Sequence, residues 1–253
     1  MPRSGKPSQS RRHRHPRRSG PSPRPAEGAI IIFAKAPIPG QVKTRLCPPL
    51  TQDEAASLHG SMIMDAVEHT RSLRGFDIYL ACTPSMNHPF FQTLAARHRL
   101  QLIEQVGEDL GQRMDHALTT ILNRGYKYAV LVGADIPNLS GHTYKQAKDM
   151  LQSKDVVFGP TKDGGYYLVG MTTPNPELFA NIAWSTDRVL TQSQAQAEKL
   201  GLAMSLLEPE YDIDTFEDLQ AFLDEETGSG KKKLSTRTAN VFQTLVQRHR
   251  HIG

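Results

Sequence analysis

The sequence predicts an α/β domain built on a mainly parallel sheet with helices on both faces. Strand-like and helix-like segments alternate from Ile30 to about Glu225, the pattern of a layered α/β fold. The first strand is a continuous apolar run, as expected of a strand buried on both faces. Polar loops rich in Gly, Pro and charge follow several strands, where open α/β sheets bind ligands.

The elements follow in order. Ile30-Ile31-Ile32-Phe33-Ala34 is β-branched and aromatic, a buried strand. It runs into a loop holding Pro37, Pro39, Gly40 and three cations, Lys35, Lys43 and Arg45. Thr51-Gln52-Asp53-Glu54 is a capping box opening a helix with Leu58, Met62 and Ala66 at four-residue spacing. Phe76–Ala81 is a second strand. A helix over about 88–98 leads to a third strand, Leu100–Ile103, and another helix covers about 111–123. Tyr128–Val132 is a fourth strand, followed by a helix near 142–152. Val156–Phe158 and Tyr166–Val169 are strands flanking a glycine turn. A helix from about Asp187 to Leu200 is stopped by Gly201. Ala203–Leu207 is a last strand and Phe216–Glu225 a last helix.

Charge divides the chain differently from its overall balance of +4. Residues 1–29 hold eight Lys and Arg against one acid, and residues 228–253 hold six and none. Residues 30–227 therefore hold 16 cations against 25 acids. An acidic domain is a poor nucleic-acid surface but a reasonable host for a divalent ion. Residues 1–28 carry almost no apolar side chains and are expected to be a disordered basic tail. The domain is expected over 29–227. Residues 228–253 read as a basic linker and a short amphipathic helix with Val241, Leu245 and Phe242 as its inward candidates. Nucleic-acid association through the tails would weaken steeply with salt; six prolines and no interleaved aromatics argue against it in the first tail. The two cysteines, Cys47 and Cys82, form no CxxC pair, which fits a reducing cytoplasm. No apolar run reaches the roughly 18–20 residues of a membrane span, and the first residues show no signal-peptide core.

Lys43-Thr44 after Gly40 falls short of a P-loop, because Val42 stands where that motif needs Gly. No GxGxxG follows the first strand. Lys35, Lys43 and Arg45, with Gly40 in the loop, are instead read as a side-chain clamp for a diphosphate, against an ordinary solvated loop. Asp135 in Gly133-Ala134-Asp135-Ile136-Pro137 sits at another carboxyl end and is read as a metal ligand; a turn-capping role is its rival. Asp214 is the favoured second acid and Asp212 the alternative, with Thr215 and Asp218 resembling a helix cap. Asp163 in Gly159-Pro160-Thr161-Lys162-Asp163-Gly164-Gly165 is a candidate to hold or deprotonate an acceptor, against a plain Asp-Gly hairpin. Asp109 either helps hold the nucleotide or simply caps the helix behind it. Trp184 is read as a packed aromatic, with lining of an acceptor pocket as the rival reading, beside an N-cap at 185–187. The histidines are scattered and read as structural or solvated.

Phe33-Ala34-Lys35-x-Pro37-x-Pro39-Gly40-x-Val42-Lys43-Thr44-Arg45-Leu46, Gly133-x-Asp135-Ile136-Pro137, Gly159-Pro160-x-x-Asp163-Gly164-Gly165-Tyr166-Tyr167-Leu168 and Asp212-Ile213-Asp214-Thr215 occur in this order. Together they resemble the bacterial glycosyltransferase-like family called radical-SAM/selenodomain-associated transferase 1, over about residues 29–226. That family is similar to the wider GT-A, or nucleotide-diphospho-sugar transferase, superfamily. The resemblance implies a single GT-A α/β/α domain, with magnesium or manganese as cofactor. It carries Asp135 over as the metal-binding acid, Asp214 as the second acid, and Lys43 and Arg45 as the basic end of the nucleotide loop. Many nucleotidyltransferases of the superfamily have several glycines before that basic end; here only Gly40 is present, which favours a nucleotide-sugar donor. The expected activity is metal-dependent transfer of a glycosyl group from a nucleotide-diphospho-sugar to a small-molecule acceptor. The rivals are nucleotidyl transfer from an NTP to a phosphorylated metabolite and a catalytically silent nucleotide-binding module.

Overall fold

Ile30, Ile31 and Ile32 are completely buried, so the first strand has to lie at the centre of the sheet rather than at an edge. The computed structural model of the chain describes residues 26–136, 139–221 and 236–249. In it β1 (Gly28–Lys35) is flanked by β2 (Phe76–Thr83) and β4 (Tyr128–Gly133), both parallel to it. β3 (Gln101–Glu104) adds beyond β2. On the other side follow β6 (Tyr166–Met171), β5 (Val156–Pro160) and β7 (Met204–Leu206), giving the order β3-β2-β1-β4-β6-β5-β7. Only β6 runs antiparallel, through the hairpin that the glycine turn predicts. The strand order reverses between β1 and β4, so their carboxyl ends diverge into a crevice.

Side chains on β1 alternate between two cores, as a period of two requires. Ile30, Ile32 and Ala34 pack toward α1 (Gln52–Arg71), α2 (Pro89–His98) and α4 (Gly141–Met150). Ala29 and Ile31 pack toward α3 (Leu110–Leu122) and α5 (Val189–Lys199). Each buried isoleucine contributes about 1.5–3 kcal/mol. The fold is a mixed α/β domain with a seven-stranded, mostly parallel sheet, as expected.

The capping box at Thr51 forms as read: Thr51 Oγ1 accepts from the Glu54 amide at 3.2 Å, and Glu54 Oε2 accepts from the Thr51 amide at 2.9 Å. α5 begins at Val189, two residues later than the sequence suggests, and its first turn has no side-chain cap. The reason lies just before it: Ser185 has φ 63°, a left-handed turn that breaks the helical path. Residues 216–221 are helical; the expected continuation to Glu225 lies outside the described residues, as do most of the tail at 1–28 and the linker from 228.

The amphipathic C-terminal segment forms α6 (Thr236–His249). It turns Phe242, Leu245 and Val246 inward, leaving Val241 only half-buried, because a 3.6-residue period places 242, 245, 246 on one face. These side chains pack with Leu58 and Met62 of α1, with Leu46 from the loop after β1, and with Ile213 from the loop after β7. Polar contacts pin the start of α6 to α1. Arg237 donates to Asp65 Oδ1 and to Glu68 Oε1, each at 2.9 Å, and the Thr238 amide and hydroxyl donate to Asp65 Oδ2. Asp65 is only 3% exposed, so its pairing is what makes burial of a carboxylate tolerable.

Candidate active site

Four loops leave the carboxyl edge of the sheet side by side, after β1, β4, β5 and β7. They bring together Lys35, Lys43 and Arg45, then Asp135, then Asp163, then Asp212 and Asp214. The centre is an ion-paired knot. Lys43 Nζ lies 3.0 Å from Asp135 Oδ1, 3.0 Å from Asp214 Oδ1 and 2.7 Å from the Ile213 carbonyl. The Lys43 side chain is 5% exposed. Burial pulls its ammonium down, but Asp135 and Asp214 outweigh that and hold it above its ordinary value. Burial likewise pushes Asp135 up, and Lys43 with His59 more than reverses this, keeping the carboxyl well below the usual range. Both groups are charged throughout the neutral range.

Asp135 Oδ1 is buried although the side chain as a whole is 46% exposed, so its other oxygen faces open space. Asp214 is oriented from behind. Its own amide and that of Thr215 donate to Asp218 Oδ2, and Thr215 Oγ1 accepts from the Asp218 amide. The Thr215–Asp218 cap and a site role for Asp214 therefore coexist: the cap uses Asp218 and leaves Asp214 turned to Lys43. Arg45 reaches Asp214 Oδ2 at 3.4 Å and is otherwise 70% exposed.

Two cavities meet at Arg45, Asp135 and Asp214. One of about 260 Å³ is lined by Lys35, Gln41, Lys43, Thr44 and His59. The other, of about 430 Å³, is lined by Asp163, Asp187 and Asp212 and by Met114, Tyr166 and Trp184. The first is cationic; the second is acidic with an aromatic wall. Asp212 lies in the second, and burial, followed by repulsion from Asp163 and Asp214, holds its carboxyl above the ordinary range.

The hairpin turn forms part of the wall. Asp163 Oδ1 accepts from Thr161 Oγ1 and from the Gly165 amide at 3.1 Å, an Asx turn, which leaves Oδ2 uncommitted. Gly164 has φ +90°, and a Cβ there would stand 2.1 Å from the Asp187 carbonyl oxygen. Only glycine lets the turn close on that backbone. Trp184 lies against Gly111, where a Cβ would come within 2.6 Å of the indole, and edge-on to Tyr166 with centroids 6.4 Å apart.

Other predicted residues stand apart from the knot. Asp109 Oδ1 accepts from the Gln112 amide at 2.8 Å as the N-cap of α3, and it lines neither cavity. Gly40, at φ +75°, turns the loop beside Gln52 and lines neither of these two cavities. Lys35 donates to the Gln41 carbonyl at 2.8 Å and borders the cationic cavity. His59 is a site residue that the sequence does not single out. Its Nε2 donates to the Lys35 carbonyl at 3.0 Å and its Nδ1 lies 3.5 Å from Asp135 Oδ1. The available signal is a histidine flanked by Leu58, Met62 and Ile63, all on the buried side of α1.

Comparison with known proteins agrees with this architecture. Residues 66–186 match the family described as "Uncharacterized protein conserved in bacteria (DUF2064)". A structure from Desulfovibrio desulfuricans G20, provisionally assigned as a nucleotide-diphospho-sugar transferase, superposes with a TM-score of 0.81 at 29% identity, covering 89% of this chain and 98% of that one. A 2-phospho-L-lactate guanylyltransferase of Methanocaldococcus infernus is 27% identical over 138 residues. That match takes in 54% of this chain and 58% of the relative, so the chain spans little more than half of that enzyme. A cytidylyltransferase from Leptospira borgpetersenii shares the fold, with a TM-score of 0.54 at 13% identity, covering 90% and 96%. The fold is that of nucleotide-diphospho-sugar transferases, and transferase is the class these named relatives share. Among the described residues no helix is long and apolar enough to cross a membrane.

Proposed function

We propose that the chain is a transferase that takes a nucleotide-diphospho-sugar as donor and moves its glycosyl group to a small-molecule acceptor. The observation that carries this reading is the pair of cavities joined at Arg45, Asp135 and Asp214. A diphosphate suits the cationic side, where Lys35 and Arg45 offer charge-assisted donors. A sugar suits the other side: its hydroxyls donate to carboxylates and its carbon face packs on rings. The narrower kinship with the radical-SAM/selenodomain-associated transferases belongs to the same proposal.

Magnesium or manganese fits the junction. The Lys43 ammonium already marks a cation's place between two carboxylates, and the free oxygen of Asp135 faces open space. Among the described residues no three His, Cys, Asp or Glu side chains form a cage by themselves. A hard ion that takes one or two carboxylates and completes its shell with substrate phosphates and water meets that limit. Held by Asp135 and Asp214, it would supply neutralisation of the charge that builds on the leaving diphosphate. The chain's own residues do the rest. Lys35 and Arg45 hold the diphosphate oxygens. Asp163, through its uncommitted Oδ2, receives the acceptor's hydroxyl proton as that oxygen bonds to the sugar's anomeric carbon and the nucleoside diphosphate leaves. Asp212 shares the wall that orients the sugar, and Trp184 with Tyr166 keeps water from it.

One specific observation favours a second reading. The sequence relative named a guanylyltransferase supports an NTP donor, a phosphorylated acceptor and pyrophosphate as product about as well. Thermal unfolding against NTPs and nucleotide sugars, with and without Mn²⁺, separates the two. A ligand at about 100 times its Kd adds roughly 2.7 kcal/mol, a shift of several degrees. A nucleotide sugar that stabilises more than its parent NTP supports glycosyl transfer. Preference for one NTP supports the second reading, and no shift with any nucleotide removes both.

A further inference from the structure

The Lys43 ammonium is held inside the protein by two hydrogen bonds and an ion pair. The hydrogen bonds go to Asp214 Oδ1 at 3.0 Å and to the Ile213 carbonyl at 2.7 Å, and the ion pair is with Asp135 Oδ1 at 3.0 Å. The side chain is almost closed to solvent. We infer that Lys43 is a resident counter-ion: it holds the place between Asp135 and Asp214 that a divalent ion would take, so ammonium and ion exclude each other until a diphosphate in the neighbouring cavity draws the ammonium away. The inference rests on the diphosphate reading of that cavity for its second half, but the exclusion itself follows from the geometry alone.

One feature supports the exclusion and two support the release. The two carboxylates are already neutralised by Lys43, with Arg45 beside the outer oxygen of Asp214, so an added ion would meet an ammonium at contact distance. Lys43 also lines the cationic cavity, so turning toward a phosphate there carries it across no other part of the fold. Its backbone has φ 47° and ψ 38°, the left-handed region that a non-glycine residue adopts only where its surroundings hold it there. The knot is thus a held conformation with an identifiable release. Lys43 is here a positioning residue for the two acids, and it becomes a phosphate contact only after it lets them go.

The test measures Mn²⁺ affinity of the full chain by electron paramagnetic resonance of the free ion, with no nucleotide present. The wild-type chain is expected to bind Mn²⁺ only weakly. Lys43→Gln is expected to bind it at least tenfold more tightly, and Asp135→Asn added to that variant is expected to abolish the gain. An unchanged or weaker affinity in a folded Lys43→Gln protein overturns the inference. Tight Mn²⁺ binding by the wild-type chain, with no nucleotide present, overturns it without recourse to any variant. Failure of the donor reading shows separately, as absence of stabilisation by UDP, GDP or their sugars, and it leaves the nucleotide-free comparison intact.

Discussion

Replacing Asp135 with Asn is expected to lower turnover by about 10²–10³ while the fold survives, the loss typical of removing one preorganised electrostatic group. The substitution keeps the shape of the side chain and an oxygen for Lys43, but removes the charge that faces the cavity junction. The buried ammonium still has Asp214 and the Ile213 carbonyl, so it is not left unpaired. The relevant measurement is nucleotide release from whichever donor stabilises the chain best, alongside a melting curve of the variant. Turnover within threefold of wild type in a protein with an unchanged melting temperature would mean that Asp135 does not serve the chemistry. A collapse of the melting temperature would instead make it a structural counter-ion.

Phe242→Ala is expected to destabilise the chain by about 3–5 kcal/mol, the range for truncating a fully buried phenylalanine. At this size each kcal/mol is worth roughly 2–4 °C, so the melting temperature should drop by about 10 °C. The expectation comes from where the ring sits. Phe242 belongs to a cluster that contains Leu46, next to Arg45, and Ile213, whose carbonyl holds Lys43. The helix Thr236–His249 therefore braces the loop that brings the cations and the loop that brings the second acid. Truncation should also speed proteolysis within residues 43–50, and the exposed Gln243→Ala is the control. A melting temperature within 2 °C of wild type would show that the helix rests on the domain without supporting it.

Much of the fold was legible because it rests on local periodicity. Two faces of β1 carry apolar side chains, so the run at Ile30 reads as central, and the Thr51 capping box announces α1 within four residues. The rest depended on tertiary contacts. The start of α5 is displaced by a left-handed serine, and the inward face of α6 is settled by the packing of Phe242 rather than Val241. The site divides in the same way. Asp135, Asp163, Asp212 and Asp214 could be gathered from sequence because each follows a strand on one edge of the sheet. Asp109 caps its helix by a purely local geometry that the sequence also allowed. Lys43 is the instructive residue: beside Arg45 it reads as a phosphate cation, yet its carboxylate partners lie 92 and 171 residues away and hold it between them. His59 escaped notice for a similar reason, since one partner is a carboxylate far along the chain and the other a backbone carbonyl.

The chain contains a single tryptophan, and Trp184 stands in the wall of the larger cavity. The consequence is optical. All indole emission from this protein originates at one wall of one chamber, so the molecule reports on that chamber without a label. A sugar or acceptor settling against the ring should change the emission, whereas a bare diphosphate on the cationic side should leave it nearly constant. A single fluorescence titration can therefore follow the filling of one compartment while the other is loaded in silence.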